Sequence, residues 1–126
     1  MTDSFAVVDP TTVRPEEFQT CETAVRKLTE RLGCTEMRVN QVLVEPDEVT
    51  TPHTHEGQEE VFAALTDGQI SIEGDVHDVP AGGVVRVHPD TVRNLCNHTD
   101  DRHVWLAFGA PPVGSVEDFG SYVVEE

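Results

Sequence analysis

Basic residues are scarce in this chain: 8 Lys and Arg stand against 24 Asp and Glu, Lys27 is the sole lysine, and the formal charge is −16 over 126 residues. The acids run from Asp3 to Glu126 without forming a tail, so the charge belongs to the whole surface. Such a surface repels nucleic acid and anionic membranes. It also repels itself at low ionic strength, a penalty that molar salt removes by shortening the Debye length to roughly 3 Å. The composition therefore predicts adaptation to a salt-loaded, halophilic cytoplasm.

Cysteine is equally sparse. Cys21, Cys34 and Cys96 form no close pair, which argues against a disulfide scaffold and against a thiolate zinc site; all three are expected to be reduced. No stretch approaches the roughly 20 apolar residues of a membrane span, and MTDSFAVVDP lacks a basic start, so a cytoplasmic protein is expected. The four serines lack a nucleophile-elbow setting, PAGGVV is short and lysine-free for a phosphate loop, and HEGQEE lacks the helical spacing of a zinc protease.

What is present reads as one domain's worth of chain. Phe18, Cys21, Val25, Leu28 and Leu32 recur at steps of three and four, with Pro15 ahead and Gly33 behind. That spacing predicts one amphipathic helix over about 15–32. From Met37 the pattern changes to short β-rich runs: 37–44, 60–65, 69–73, 76–79, 84–87, 92–97 and 103–110, each closed by turn residues. Many short strands predict a sandwich, jelly roll or small barrel. The expected organisation is an N-terminal helical segment at 1–36, a barrel at 37–112 and a C-terminal arm at 113–126.

One stretch carries chemistry. In TPHTHEGQEEVFAAL, His53 and His55 are two apart, so on an extended segment they project from one face. A tight reversal through EGQE brings Glu60 back over them. Two histidines and one carboxylate suit iron(II), manganese, nickel or zinc while leaving positions open for water or substrate; the bland alternative is a polar hairpin rich in imidazole. Beyond Glu60, both alternating sets of Val61–Leu65 are apolar, so this strand needs cover on both faces, from the helix or from a second subunit. A homodimer is expected.

PHTHEGQEEVFAALTDG resembles the first cupin motif, and VPAGGVVRVHPDTVRNLCN resembles the second. The resemblance covers about Met37 to Pro112. It implies an all-β double-stranded β-helix, or jelly-roll barrel, with its site inside and with His53, His55 and Glu60 as ligands of a divalent transition metal. Two departures stand out. Seven residues separate Glu60 from Gly68 where the family usually has six. More seriously, Arg93 stands where the family usually supplies its last histidine, four before Asn97, and a guanidinium has no lone pair to offer a metal.

Two outcomes follow. Either the three ligands hold a metal and Arg93 binds the anionic end of a small molecule, or Arg93 replaces the cation, pairs with Glu60 or Glu59, and the barrel is metal-free. His88 and His103 are the candidates for a fourth ligand. Glu59 is a candidate general base and Trp105 a candidate pocket wall. The functions expected are a metal-dependent oxygenase, isomerase or lyase, or a non-enzymatic module that binds or senses a small, anionic ligand.

Overall fold

The computed structural model describes residues 4–17, 23–112 and 122–124. The strands are β1 (Glu16–Glu17), β2 (Ala24–Lys27), β3 (Arg38–Val44), β4 (His53–His55), β5 (Glu59–Ala64), β6 (Gly68–Ile72), β7 (Asp75–Val79), β8 (Val84–Val87), β9 (Arg93–Cys96), β10 (His103–Ala110) and β11 (Tyr122–Val124). They form two antiparallel sheets, of order β1-β2-β3-β10-β5-β8 and β11-β4-β9-β6-β7. The strands expected at 84–87 and 103–110 coincide with β8 and β10, and the other expected β runs correspond to strands within one or two residues at each end. Among the described residues no helix is long and apolar enough to cross a membrane.

The inner faces close on a core that includes Val25, Val42, Val44, Phe62, Ala64, Ile70, Leu95 and Trp105. Trp105 is wholly buried and meets Phe62 edge to face at 6.1 Å. Gly68 has to be small: a Cβ there would collide with the indole carbons of Trp105.

The helix expected over about 15–32 is replaced by β1, β2 and a single four-residue turn of helix, α1 (Thr29–Leu32). Phe18 and Cys21 lie outside the described residues. The reason is tertiary. All four residues of β2 pair with β3, from Ala24↔Leu43 to Lys27↔Asn40, so the open edge of β3 satisfies their backbone groups as a helix would have done. Two threonines staple this edge. Thr23 donates its hydroxyl to the Leu43 carbonyl, and Thr29 Oγ1 accepts from the Val39 N–H at 2.9 Å. Gly33 does stop a helix, at φ 76°, but it is the end of α1.

The three-and-four spacing thus spans two environments. Val25 enters the inner core, whereas Leu28 and Leu32 pack outside the six-stranded sheet with Val8, Val13, Val39, Leu106 and Phe108. The β3–β10 half of that outer face is covered by the chain's own N-terminal segment. On the β5–β8 side, Leu65 is 48% and Val84 67% exposed.

Candidate metal centre

β4 and β5 belong to opposite sheets, so the turn Glu56–Gln58 carries the chain across the barrel, with Gly57 in the left-handed region at φ 73°. Period-two alternation then buries His53 and His55 on β4 and Glu60 on β5. Glu60 lies opposite Gly109 of β10 and Val87 of β8. The space a side chain would take at Gly109 is filled by the Gln58 amide, 2.6 Å from where a Cβ would stand.

The candidate ligand atoms of His53, His55 and Glu60 all lie within 4.8 Å of one another, and among the described residues no other such group occurs. Metal bonds of about 2.0–2.2 Å place neighbouring donors roughly 3.0–3.5 Å apart, so shifts of about 1 Å would close the set on an ion. The two imidazoles stand perpendicular, ring centres 4.8 Å apart. His53 Nδ1 is 2.8 Å from the Thr51 carbonyl oxygen. A carbonyl can only accept, so Nδ1 carries the hydrogen and Nε2 is left with the lone pair a metal needs. Glu60 Oε1 is buried, accepts no hydrogen bond among the described residues, and lies 3.6 Å from His55 Nε2. An orphaned carboxylate oxygen beside two imidazoles fits a divalent cation.

Arg93 is fully buried beside this group. It is the cross-strand partner of His53, so register alone brings it there. Its Nε is 3.6 Å from Glu60 Oε1, and Nη2 donates to the His88 carbonyl at 3.1 Å. Burial pushes the Glu60 carboxyl up to about 7 against the pull of the guanidinium. Burial pushes His53 down to about 4; the Thr51 hydrogen bond opposes this and the charge of Arg93 adds to it. At neutral pH His53 is therefore a neutral ligand-ready imidazole, while Glu60 holds its proton far more tightly than an ordinary carboxyl.

The other candidate residues lie elsewhere. Glu59 points outward, exposed, and its Oε2 accepts from Arg86 Nη1 at 3.0 Å. His88 is a surface residue whose Nδ1 accepts the Asp90 N–H. His103 is buried six residues along β10 from Gly109, its Nε2 3.0 Å from Thr99 Oγ1. Neither histidine joins the His53–His55–Glu60 group. Trp105 sits behind Phe62 and does not line the cavity. Asn97 shapes its own turn, donating to the Val44 and Asp101 carbonyls at 2.9 and 2.7 Å.

Sequence reasoning missed a buried polar pair near the site: Arg38 Nε donates to Gln58 Oε1 at 3.0 Å, both residues almost wholly enclosed. The available signal was parity. Arg38 shares the inward set of β3 with Asn40 and Val42, in line through Gly109 with Glu60.

No protein-family model matches the chain, and no curated protein matches it. Solved structures do. A predicted oxalate decarboxylase from Thermotoga maritima superposes with a TM-score of 0.72 at 19% identity, covering 83% of this chain and 98% of that one. The polyketide cyclase RemF from Streptomyces resistomycificus gives 0.74 at 21%, covering 87% and 80%. A protein from Acidithiobacillus ferrooxidans described as a sugar phosphate isomerase gives 0.65 at 21%, covering 72% of this chain, which spans 60% of that protein's length. A cupin 2 conserved barrel protein from Salinispora arenicola gives 0.68 at 18%, covering 87% and 90%. The architecture is the cupin double-stranded β-helix.

Proposed function

We propose that this cupin-fold chain binds a divalent transition metal, iron, manganese, nickel or zinc, through His53, His55 and Glu60, and takes a small anionic ligand beside it. The single observation that carries the reading is the convergence of those three buried side chains on one cavity, with the Nε2 lone pair of His53 exposed to it by the Thr51 hydrogen bond. When bound, the ion would supply Lewis acidity to a ligand oxygen. The chain's own residues do the rest: Arg93 orients the anionic group, and Val42, Phe62, Leu95 and Ala107 keep bulk water from the inner end. Metal-assisted oxygenation, isomerisation or a lyase step is the chemistry proposed.

A second reading is favoured by one distance. Arg93 Nε stands 3.6 Å from Glu60 Oε1, so the guanidinium could serve in place of a metal, and the barrel would then be a metal-free binding or sensor module. Elemental analysis of the purified, untagged protein decides between them, with the His53→Ala, His55→Ala double variant as control. Close to one equivalent of metal in the wild type, absent from the variant, supports the first reading. No uptake after incubation with iron(II), manganese, nickel and zinc leaves the second.

The outer β5–β8 face, with Leu65 and Val84 exposed, supports a homodimer, and the −16 charge supports a salt-adapted protein.

A further inference from the structure

We infer that the C-terminal strand β11 positions the metal centre, acting through the backbone of β4, an inference that rests on the metal reading above. The strand before it, β10, ends at Ala110 in the six-stranded sheet, whereas β11 lies at the edge of the five-stranded one. It sits beside the strand that carries His53 and His55.

The first ground is register. β4 is three residues long, and each of the three has a partner on β11: Tyr122↔His55, Val123↔Thr54 and Val124↔His53. Among the described residues β9, the neighbour on the other side, is matched to β4 at one pair, His53↔Arg93. Single bonds hold the chain on either side of that pair. Ahead of β4 the Thr50 N–H donates to the Leu95 carbonyl at 2.9 Å, and at its end the His55 N–H donates to the Pro89 carbonyl at 3.2 Å. β11 is the neighbour that matches β4 along its whole length.

The second ground is what that register does for the ligands. Histidines two apart face one cavity only while the residue between them is extended. His53 and His55 are buried and Thr54 is half-buried, as that conformation requires. Three residues hold it poorly alone, because the entropy of each opposes ordering and short edge segments open locally. Pairing at Thr54, flanked by pairs at both histidines, keeps the two imidazoles aimed together at Glu60, which arrives from the opposite sheet.

The third ground is that β4 is the one strand β11 pairs with among the described residues. Their coupling is reciprocal: by whatever factor β11 tightens the hold on an ion, the ion tightens the hold on β11. The last strand of the chain is thereby a handle on metal affinity.

The test uses the full chain with a free C-terminus, its affinity for zinc(II) and cobalt(II) being measured first. Truncation after Ser121, which removes the strand and leaves the rest of the arm, is expected to weaken metal binding about 10–100-fold. The paired substitution Tyr122→Pro, Val123→Pro, which deletes ladder donors of both parities, should do the same, whereas Val123→Ile should stay within about twofold of the wild type. In the intact chain, saturating metal is expected to slow amide exchange at residues 122–124 about tenfold or more. A role in packing alone would lower the melting midpoint of the metal-free protein and move neither readout. The inference is overturned if the truncated and proline variants bind metal within about twofold of the wild type, or if metal leaves exchange at 122–124 unchanged. The exchange result decides by itself where a variant does not fold. Failure of the wild type to take up metal overturns both this inference and the reading beneath it, and it shows in the first titration.

Discussion

Glu60 Oε1 lies 3.6 Å from His55 Nε2 and also 3.6 Å from Arg93 Nε. One carboxylate oxygen is thus offered to an imidazole and to a guanidinium at once. Which claim prevails is an energetic question, and burial sets it: the carboxyl is raised to about 7 in spite of the neighbouring cation.

That shift has a sign that can be measured in the metal-free protein. With its pKa raised from 4.5 to about 7 on folding, Glu60 contributes stability that is present in full below pH 4.5 and is lost as pH rises through 7. Glu60→Gln cannot ionise and escapes the loss. Urea denaturation in the presence of a chelator should show the variant gaining on the wild type by roughly 2–3 kcal/mol between pH 4.5 and 8. If the guanidinium dominated instead, the variant would lose ground over the same range.

Metal binding should follow the same group with the opposite slope. A ligand carboxylate must be ionised, and His53, at about 4, is already neutral above pH 5. Glu60 by itself makes affinity climb about tenfold per pH unit up to pH 7 and then level off, with close to one proton released on binding at pH 6. Calorimetry in two buffers of different ionisation enthalpy counts that proton. No release at pH 6 would remove Glu60 from the ligand set.

Arg93→Met separates metal from ligand. The replacement fills a similar buried volume but leaves Glu60 and the His88 carbonyl without their buried partner, so the metal-free fold is expected to lose about 3–5 kcal/mol. Metal content should remain near one equivalent, while stabilisation of the loaded protein by a small anion such as acetate disappears. Loss of the metal together with the ligand would mean that Arg93 positions the site instead of reading the anion.

The surface charge makes a prediction independent of the cavity. With a formal −16, raising potassium chloride from 0.1 to 2 M should lift the melting midpoint by at least about 5 °C, most of the gain arriving as the Debye length falls from roughly 10 Å toward 3 Å. A flat response would assign the acids to solubility alone.

The β5–β8 face supplies the last test. Light scattering at micromolar concentration should give twice 13.9 kDa for the wild type and a monomer for Val84→Glu, since a charge cannot be buried against an apolar partner surface. A wild-type monomer would mean that Leu65 and Val84 simply face water.

The barrel was legible because its strands alternate or run apolar over four to eight residues and are closed by PDE, TDG, PAGG and HPD, local signals that the fold does not contradict. The same logic placed His53 and His55 on one face. The N-terminal segment was not legible, because Val25, Leu28 and Leu32 reproduce helical spacing while serving two different cores; only the open edge of β3, formed about 15 residues later in the chain, decides against the helix. Alternation alone does not say which of Glu59 and Glu60 faces inward, since Val61, Ala63 and Leu65 are as apolar as Phe62 and Ala64; the motif resemblance is what singled out Glu60, and the inward side of β5 carries it. Gly109, distant in sequence, leaves the inner space that the Gln58 amide fills.

Those two neighbouring acids, one tied to Arg86 in solvent and the other enclosed with His55, make the turn at 56–58 the weakest point of the design against insertion and deletion. A single residue inserted there would slide β5 by one position and turn all its side chains over. The core would exchange Phe62 and Ala64 for the smaller Val61 and Ala63, losing the packing of Phe62 on Trp105 at a cost of roughly 2–4 kcal/mol; the enclosed acid would be traded for its solvated twin. A lineage of such barrels can therefore exchange its inner acid in one genetic event while keeping its shape, and a change in that turn's length is the mark by which barrels that have done so would be recognised.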